Sequence, residues 1–288
     1  MKFSTFSIVA YEVDENSFGV AVASKFLSVG AYVPFAKAGV GAIATQAYAN
    51  LSYGDIGLTM LSEGKHADEV VAQLVSHDDG RDERQLGVVD FNGNAATYTG
   101  KKCMRWAGGM TGKGFAIQGN ILAGESVIQD MASAFQSASG ELADRLYAAL
   151  HAGEHAGGDR RGRQSAALLV VKPNGGYGGF TDRYVDLRVD DHLEPVPELN
   201  RLLQLHRLYF GKTDARDKIK MDATIMKLLQ HAARSRGFQL DDDLFSEETI
   251  STLNDFIGSE NLEERIDLSN AAIDPPALDY LRERFRQS

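Results

Sequence analysis

The sequence predicts an α+β protein in which two stacked sheets of antiparallel strands are covered on each outer face by a pair of helices, with a small helical region after them. Three observations lead there. Runs of β-branched and small apolar residues occur in hairpin-like groups, two pairs of segments with apolar residues at helical spacing interrupt them, and the composition turns charged and helical from Leu202 onward.

The first strand runs from about Thr5 to Glu12 and the second from Gly19 to Lys25, with Asp14-Glu15-Asn16 as the turn between them. Val40 to Gln46 is short and apolar, as a strand buried between two layers should be. Helices follow over about Tyr53 to Glu63 and Ala67 to Ser76, where Val70, Val71, Leu74 and Val75 recur at helical spacing. Gln85 to Phe91 and Ala95 to Thr99 flank Asn92-Gly93-Asn94, residues that tolerate the positive φ of a tight hairpin turn. A strand near Phe115 to Gln118 precedes two more helices, about Ser126 to Ser137 and Glu141 to Ala152. In the second, Leu142, Leu146, Ala149 and Leu150 form an apolar stripe, and Gly153, Gly157 and Gly158 end it. Ser165 to Val171 reads as a buried strand and Arg183 to Val189 as a half-exposed one. The order is three strands, two helices, three strands, two helices, two strands.

The chain has 288 residues, enough for one large domain and one small one, expected at 1–210 and 211–288. With 43% hydrophobic and 24% charged residues it has the composition of a folded globular protein. A formal net charge of −10 removes the positive field that non-specific binding to nucleic acid or to an anionic membrane needs. The single cysteine, Cys103, can form neither an intramolecular disulfide nor a thiolate cluster, which fits a reducing compartment. The apolar run in Met1 to Ala10 is too short for a secretory segment, and no later run approaches the roughly 18 apolar residues of a membrane span. The expected location is cytoplasmic.

Four segments carry a family resemblance: Thr5 to Ala10 (TFSIVA), Gln118-Gly119-Asn120, Gly157 to Ala166 (GGDRRGRQSA) and Val185 to His192 (VDLRVDDH). Together they resemble the DUF1028 family, an uncharacterised group placed in the N-terminal-nucleophile (Ntn) hydrolase superfamily. The resemblance covers roughly residues 3 to 210, and the glycine-arginine stretch is its most specific part. More weakly, the C-terminal region resembles a peptidoglycan-binding domain often attached to that family. The first resemblance implies a four-layer αββα sandwich and a nucleophile at Thr5. In that chemistry the α-amine of the N-terminal residue, with a pKa near 8, takes the proton from its own side chain. Four residues precede Thr5, so its nitrogen is an amide, and activity requires removal of residues 1–4 or a start nearer Thr5. The alternative is that Thr5 is an ordinary strand residue, as is Ser7 two positions on and on the same face.

Further residues are candidates on their position. A hairpin centred near Glu15 makes facing positions sum to about 30 and puts Lys25 opposite Thr5, where its charge would lower the amine's pKa. The alternative is a surface lysine, and a slip of one residue would remove the contact. Asn120 at the end of its strand is a candidate donor to an oxyanion and Gln46 at the end of the Val40 strand another, counted among the substrate-binding residues; the alternative is that a strand-end Asn is a turn residue. Asp159, Arg160, Arg161 and Arg163 lie in a glycine-rich loop. Its arginines suit a substrate carboxylate, or else form an ion-pair hub with Asp159, Asp186 and Asp190. Of the seven histidines only His151 and His155 stand at HxxxH spacing and none at HExxH, and Gly108-Gly109 and Gly175-Gly176 lie in no phosphate-loop context, so neither a metal nor a cofactor is expected. Two functions remain open: an amidohydrolase acting on a small amide or short peptide bearing a carboxylate, or a catalytically silent binding protein of the same fold. For the C-terminal region, an intramolecular or homo-oligomer contact is preferred to peptidoglycan fragments. It should begin after Gly211 as a left-handed helix cap, with helical pieces at Leu262 to Ile266 and Leu278 to Phe285, the latter capped by Asp274.

Overall fold

A computed structural model describes residues 5–211, 213–241, 243 and 246–286. It is a mixed α and β protein with antiparallel sheets and, among the described residues, eight α-helices. No helix among them is long and apolar enough to cross a membrane. Contacts divide the chain into compact units of residues 1–202 and 203–288. That division falls inside a helix, at the composition change from Leu202 and eight residues before the domain boundary expected at Gly211.

In the first unit, β1 (Thr5–Glu12), β2 (Ser17–Ser24), β3 (Pro34–Lys37) and β4 (Gly41–Ala47) precede α1 (Ser52–Ser62) and α2 (Ala67–Ser76). Then come β5 (Arg84–Asp90), β6 (Ala95–Thr99), β7 (Gly108–Gly112) and β8 (Phe115–Asn120), followed by α3 (Ser126–Ser137) and α4 (Leu142–His155). Last are β9 (Ser165–Val171), β10 (Arg183–Val189) and α5 (Pro195–Phe210), the last crossing into the second unit. Two strands escape the sequence reading, β3 and β7. Both are edge strands, β3 opened by a proline and β7 by two glycines, residues that strands disfavour.

The larger sheet has the order β10-β9-β2-β1-β8-β7 and the smaller β3-β4-β5-β6, every pairing antiparallel. Val9, Val20, Val22, Ala167 and Leu169 of the larger share one buried cluster with Ala42, Ala44 and Val89 of the smaller, so the two sheets face each other. On its other face the smaller sheet places Ile43, Leu86 and Val88 against Tyr53 and Leu61 of α1 and Val70 and Leu74 of α2. The larger sheet's other face meets α3 and α4, with the Phe115 ring 5.1 Å from that of Phe135.

Close seating explains glycines inside helices. A Cβ at Gly153 would come within 2.7 Å of Met131, so α4 continues through this residue, and the expected stop falls to Gly157, with φ of 109°. On α1, a Cβ at Gly54 would overlap the Phe35 ring of β3.

The second unit buries Leu229, Leu253, Phe256, Leu262, Ile273 and Leu281 in its own core. It contains α6 (Ala223–Ser235), α7 (Glu247–Ser259), α8 (Pro275–Arg284) and a small sheet, β11 (Ile219–Lys220), β13 (Ala272–Ile273) and β12 (Ile266–Asp267) in that order. Three expectations fail here. Leu262 to Ile266 is a turn leading into β12 rather than a helix. Gly211 is not left-handed, and it follows the helix end with its N–H on the carbonyl of Arg207. Asp274 stands at the start of α8, but its carboxylate pairs with Arg265 at 2.9 Å and with Lys218 at 3.3 Å instead of capping the helix.

Gly54→Ala tests the seating of α1. Alanine's better helix propensity is worth about 1 kcal/mol, whereas overpacking against a rigid ring costs about 1–3 kcal/mol. The expected outcome is a lower urea midpoint, and an unchanged or higher one would show that α1 does not sit on Phe35.

Candidate active site

Thr5 opens β1, and in the antiparallel register it lies between Ser24 of β2 and Asn120 of β8, with Ser165 of β9 beyond Ser24. All four are buried. Alternation along the strand turns Thr5, Ser7 and Val9 toward the smaller sheet. Facing positions sum to 29, one less than expected, because the turn takes four residues, Val13 to Asn16. The consequence is a correction: Ser24, not Lys25, stands opposite Thr5. Lys25 lies past the end of β2, its N–H donating to Asp159 at 2.7 Å and its Nζ to the carbonyl of Arg163 at 3.2 Å.

The Thr5 hydroxyl donates to Ser24 Oγ at 3.2 Å. Beside it runs a seam of buried amides that joins the two sheets. Ser7 Oγ donates to Gln46 Oε1 (2.6 Å) and accepts from Gln118 Nε2 (2.7 Å). Gln46 Nε2 reaches the Thr5 carbonyl (3.3 Å), the Gln118 carbonyl (3.2 Å) and Gln85 Oε1 (2.9 Å). Gln85 Oε1 also accepts from Asn120 Nδ2 at 2.9 Å, and Gln85 Nε2 donates to the Gly119 carbonyl at 2.7 Å. Gln46 is therefore spent on protein groups and holds the Thr5 carbonyl rather than facing a substrate. Gly87 leaves room for the seam, since a Cβ there would overlap Gln118 Oε1.

The residues that follow the two strand-end amides, Ala47 (φ 68°) and Ile121 (φ 53°), are both left-handed. For a β-branched residue this is a strained conformation. Beyond Ile121 the chain pairs with the glycine-arginine loop: Arg160 N–H donates to the Ile121 carbonyl and Ala123 N–H to the Gly158 carbonyl.

That loop helps to wall a cavity of about 290 Å³, floored by Phe6, Ala23 and Ser24 and bordered by Glu154, His155 and Arg163. Asp159 accepts from the N–H of Lys25, the N–H of Arg161 and the Arg161 guanidinium, so the ion-pair reading holds for these two residues. It fails for Asp186, which pairs with Arg183 and Arg188. Arg163 pairs instead with Glu154, Nε to Oε1 at 3.4 Å, and Arg160 is exposed. Burial pushes the Glu154 carboxyl above its ordinary pKa, opposed by the charge of Arg163. Behind it on α4, His151 is held below its ordinary pKa by burial and by His155, whose ring centroid lies 4.1 Å away.

Sequence reasoning missed Ser24, Gln85, Gln118 and Glu154. Two signals were available: glutamines within runs read as strands, and an acidic residue four positions after Leu150 on the apolar stripe of α4.

Fold and site together define a two-sheet protein of mixed α and β structure with a half-open, loop-walled cavity beside the start of its first strand. Residues 5–199 match DUF1028, a family of unknown function, and the chain belongs to that family. A crystal structure of a DUF1028-family protein from Silicibacter pomeroyi is similar to it at 33% identity and a TM-score of 0.65, with 74% of this chain and 92% of that one covered. No curated protein matches.

Two outcomes are expected here. Gln46→Leu and Gln85→Leu each strand buried partners at about 1–3 kcal/mol apiece, so both should destabilise strongly, while the double variant should lose less than the sum by about 1 kcal/mol or more. Chemical denaturation of the four proteins measures this, and simple additivity would deny the coupling. The second outcome concerns pH. The folded chain holds the Glu154 proton more tightly than the unfolded one, so this group's contribution to stability falls as pH rises from the unfolded toward the folded pKa. Relative to wild type, Glu154→Gln should gain stability from pH 4 to pH 7, read from urea midpoints across that range.

Proposed function

We propose that this chain is an Ntn-type amidohydrolase that cleaves a C–N bond in a small amide or short peptide, with Thr5 as nucleophile once residues 1–4 are removed. Those four residues lie outside the described ones. Helix pairs on the outer faces of two facing sheets support reading the fold as the αββα sandwich of that superfamily. The observation that carries the proposal is the placement of Thr5, whose hydroxyl meets Ser24 Oγ, Ser24 being one of the residues that border the cavity.

In this reading the freed α-amine takes the proton from Thr5 Oγ1 as the oxygen attacks the carbonyl carbon. Asn120, opposite Thr5 on β8 and held by its Nδ2 bond to Gln85 Oε1, is placed to support the developing oxyanion only if substrate binding reorients that amide. The leaving amine departs with the proton, and water then hydrolyses the acyl ester. Gln46 positions the Thr5 carbonyl. Lys25 and the Asp159–Arg161 pair brace the loop, which leaves Arg163 as the arginine on the cavity for a substrate carboxylate. The full burial of Thr5 favours a second reading, a binding protein with its nucleophile permanently capped.

One comparison decides between them. The chain beginning at Thr5 should hydrolyse members of a panel of N-acyl amino acids and dipeptides, and the chain beginning at Met1 with Thr5→Ala should be slower by about 100-fold or more. Equal, measurable rates for the two would show that Thr5 is not the nucleophile, and no turnover by either would favour the binding protein. Intact-mass spectrometry of the natively expressed chain shows which form the cell makes.

A further inference from the structure

Glu154 is a carboxylate at 6% exposure that borders the cavity, and the fold gives it little. Among the described residues its one ion-pair partner is Arg163, whose Nε stands 3.4 Å from Oε1, beyond the roughly 2.7–2.9 Å of a strong charge-assisted hydrogen bond. The apolar side chains of Phe6, Ala23 and Pro195 line the same space. Asp159 lines it too, but Lys25 and Arg161 saturate its oxygens. Besides His155 at its border, the cavity therefore offers one under-used negative group, buried, and one under-used positive group, half exposed, side by side in a half-open volume.

We infer that this cavity takes a small zwitterion of the amino-acid or dipeptide class, its ammonium against Glu154 and its carboxylate against Arg163. Charge balance makes the choice. The Glu154–Arg163 pair is neutral, so a ligand carrying only an ammonium or only a carboxylate would draw on one member and leave the other's charge unmatched, which is costly at the buried Glu154. A zwitterion keeps the sum at zero and sets each of its charges beside the opposite one. The guanidinium's flat fork matches a carboxylate, and its Nη donors have no partner among the described residues. Burial already lifts the Glu154 pKa, so an ammonium that favours the ionised form gains from meeting it. About 290 Å³ limits the ligand to roughly dipeptide size. The inference rests on the proposed amidohydrolase reading only where it places the substrate's amide beside Thr5. It then names the substrate class as one with a free amino group and a free carboxylate.

The test measures binding, so that it does not depend on turnover. Isothermal titration of the full chain carrying Thr5→Ala with glycyl-glycine, alanyl-alanine and leucyl-glycine, each also as its N-acetyl and C-amide derivative, separates the two charges. A free dipeptide should bind, and blocking either end should weaken it by about 10-fold or more. Glu154→Gln should weaken the free dipeptide while leaving the N-acetyl form unchanged, and Arg163→Gln should do the same relative to the C-amide. If either variant fails to fold, the blocked ligands still decide on the parent chain. Blocked and free forms binding alike, or none binding, would overturn the inference. Absent turnover by the chain beginning at Thr5, with this binding pattern intact, would instead sink the catalytic reading alone.

Discussion

The structure depends on a line of amide hydrogen bonds laid between two sheets whose facing surfaces are otherwise apolar. Gln46 and Gln85 reach across from the smaller sheet, Gln118 and Asn120 lie on the larger, and Ser7 and the Thr5 carbonyl complete the line. Such a seam is costly unless complete, because a buried amide without a partner loses its hydration and gains nothing. Satisfied except at Gln118 Oε1, which is buried without a hydrogen-bond partner among the described residues, it fixes how the sheets sit on each other, since sliding one by a residue would strand several donors at once. The packing around it is fitted to the same end, with a glycine at position 87 where any side chain would overlap Gln118.

The seam lies at the edge of the inter-sheet core where β1 begins, and this brings it next to the cavity. Phe6 turns to the helix side and floors the cavity, whereas Thr5 turns to the seam and meets Ser24, which belongs to both. One residue step along β1 thus separates a core contact from the candidate nucleophile. The loop that closes the space depends on left-handed backbone at Gly157 and Gly158. A Cβ at Gly157 would lie 2.6 Å from that of Ala123, so the loop approaches β8's continuation more closely than any other residue permits.

The fold was largely legible because apolar periodicity and turn residues report on local geometry. The Asn92-Gly93-Asn94 turn, both helix pairs and the buried β9 all lie where the pattern puts them. What stayed hidden depends on register. Alternation fixes which way a strand faces only when one face is wet, and β2 is buried on both, so its sequence carries no mark that distinguishes Ser24 from Lys25 as the partner of Thr5. The amide seam was hidden for a related reason. Each glutamine alone reads as a polar residue in a strand, and only the pairing of β4 with β5 and β1 with β8 gathers them. Asn120 was legible from its strand end, while Glu154, though marked by its place on the α4 stripe, acquires meaning only from the loop folded over it.

Strain at Ala47 and Ile121 follows from the same arrangement. Each comes directly after an amide locked in the seam, and left-handed backbone costs about 1–3 kcal/mol at a non-glycine residue. Relaxing either would swing Gln46 or Asn120 out of line and break bonds to Gln85. The seam thus holds the strained turns, and the turns direct the chain away from the sheets at once. After Ile121 the backbone is taken up by Met104 on one side and Arg160 on the other, so the chain that leaves Asn120 becomes part of the loop framework of the cavity. A residue free to relax would leave the strand end ragged and the cavity wall unattached. The sharp turn at Ile121 is therefore what couples the position of Asn120, opposite Thr5, to the loop that presents Arg163 beside Glu154.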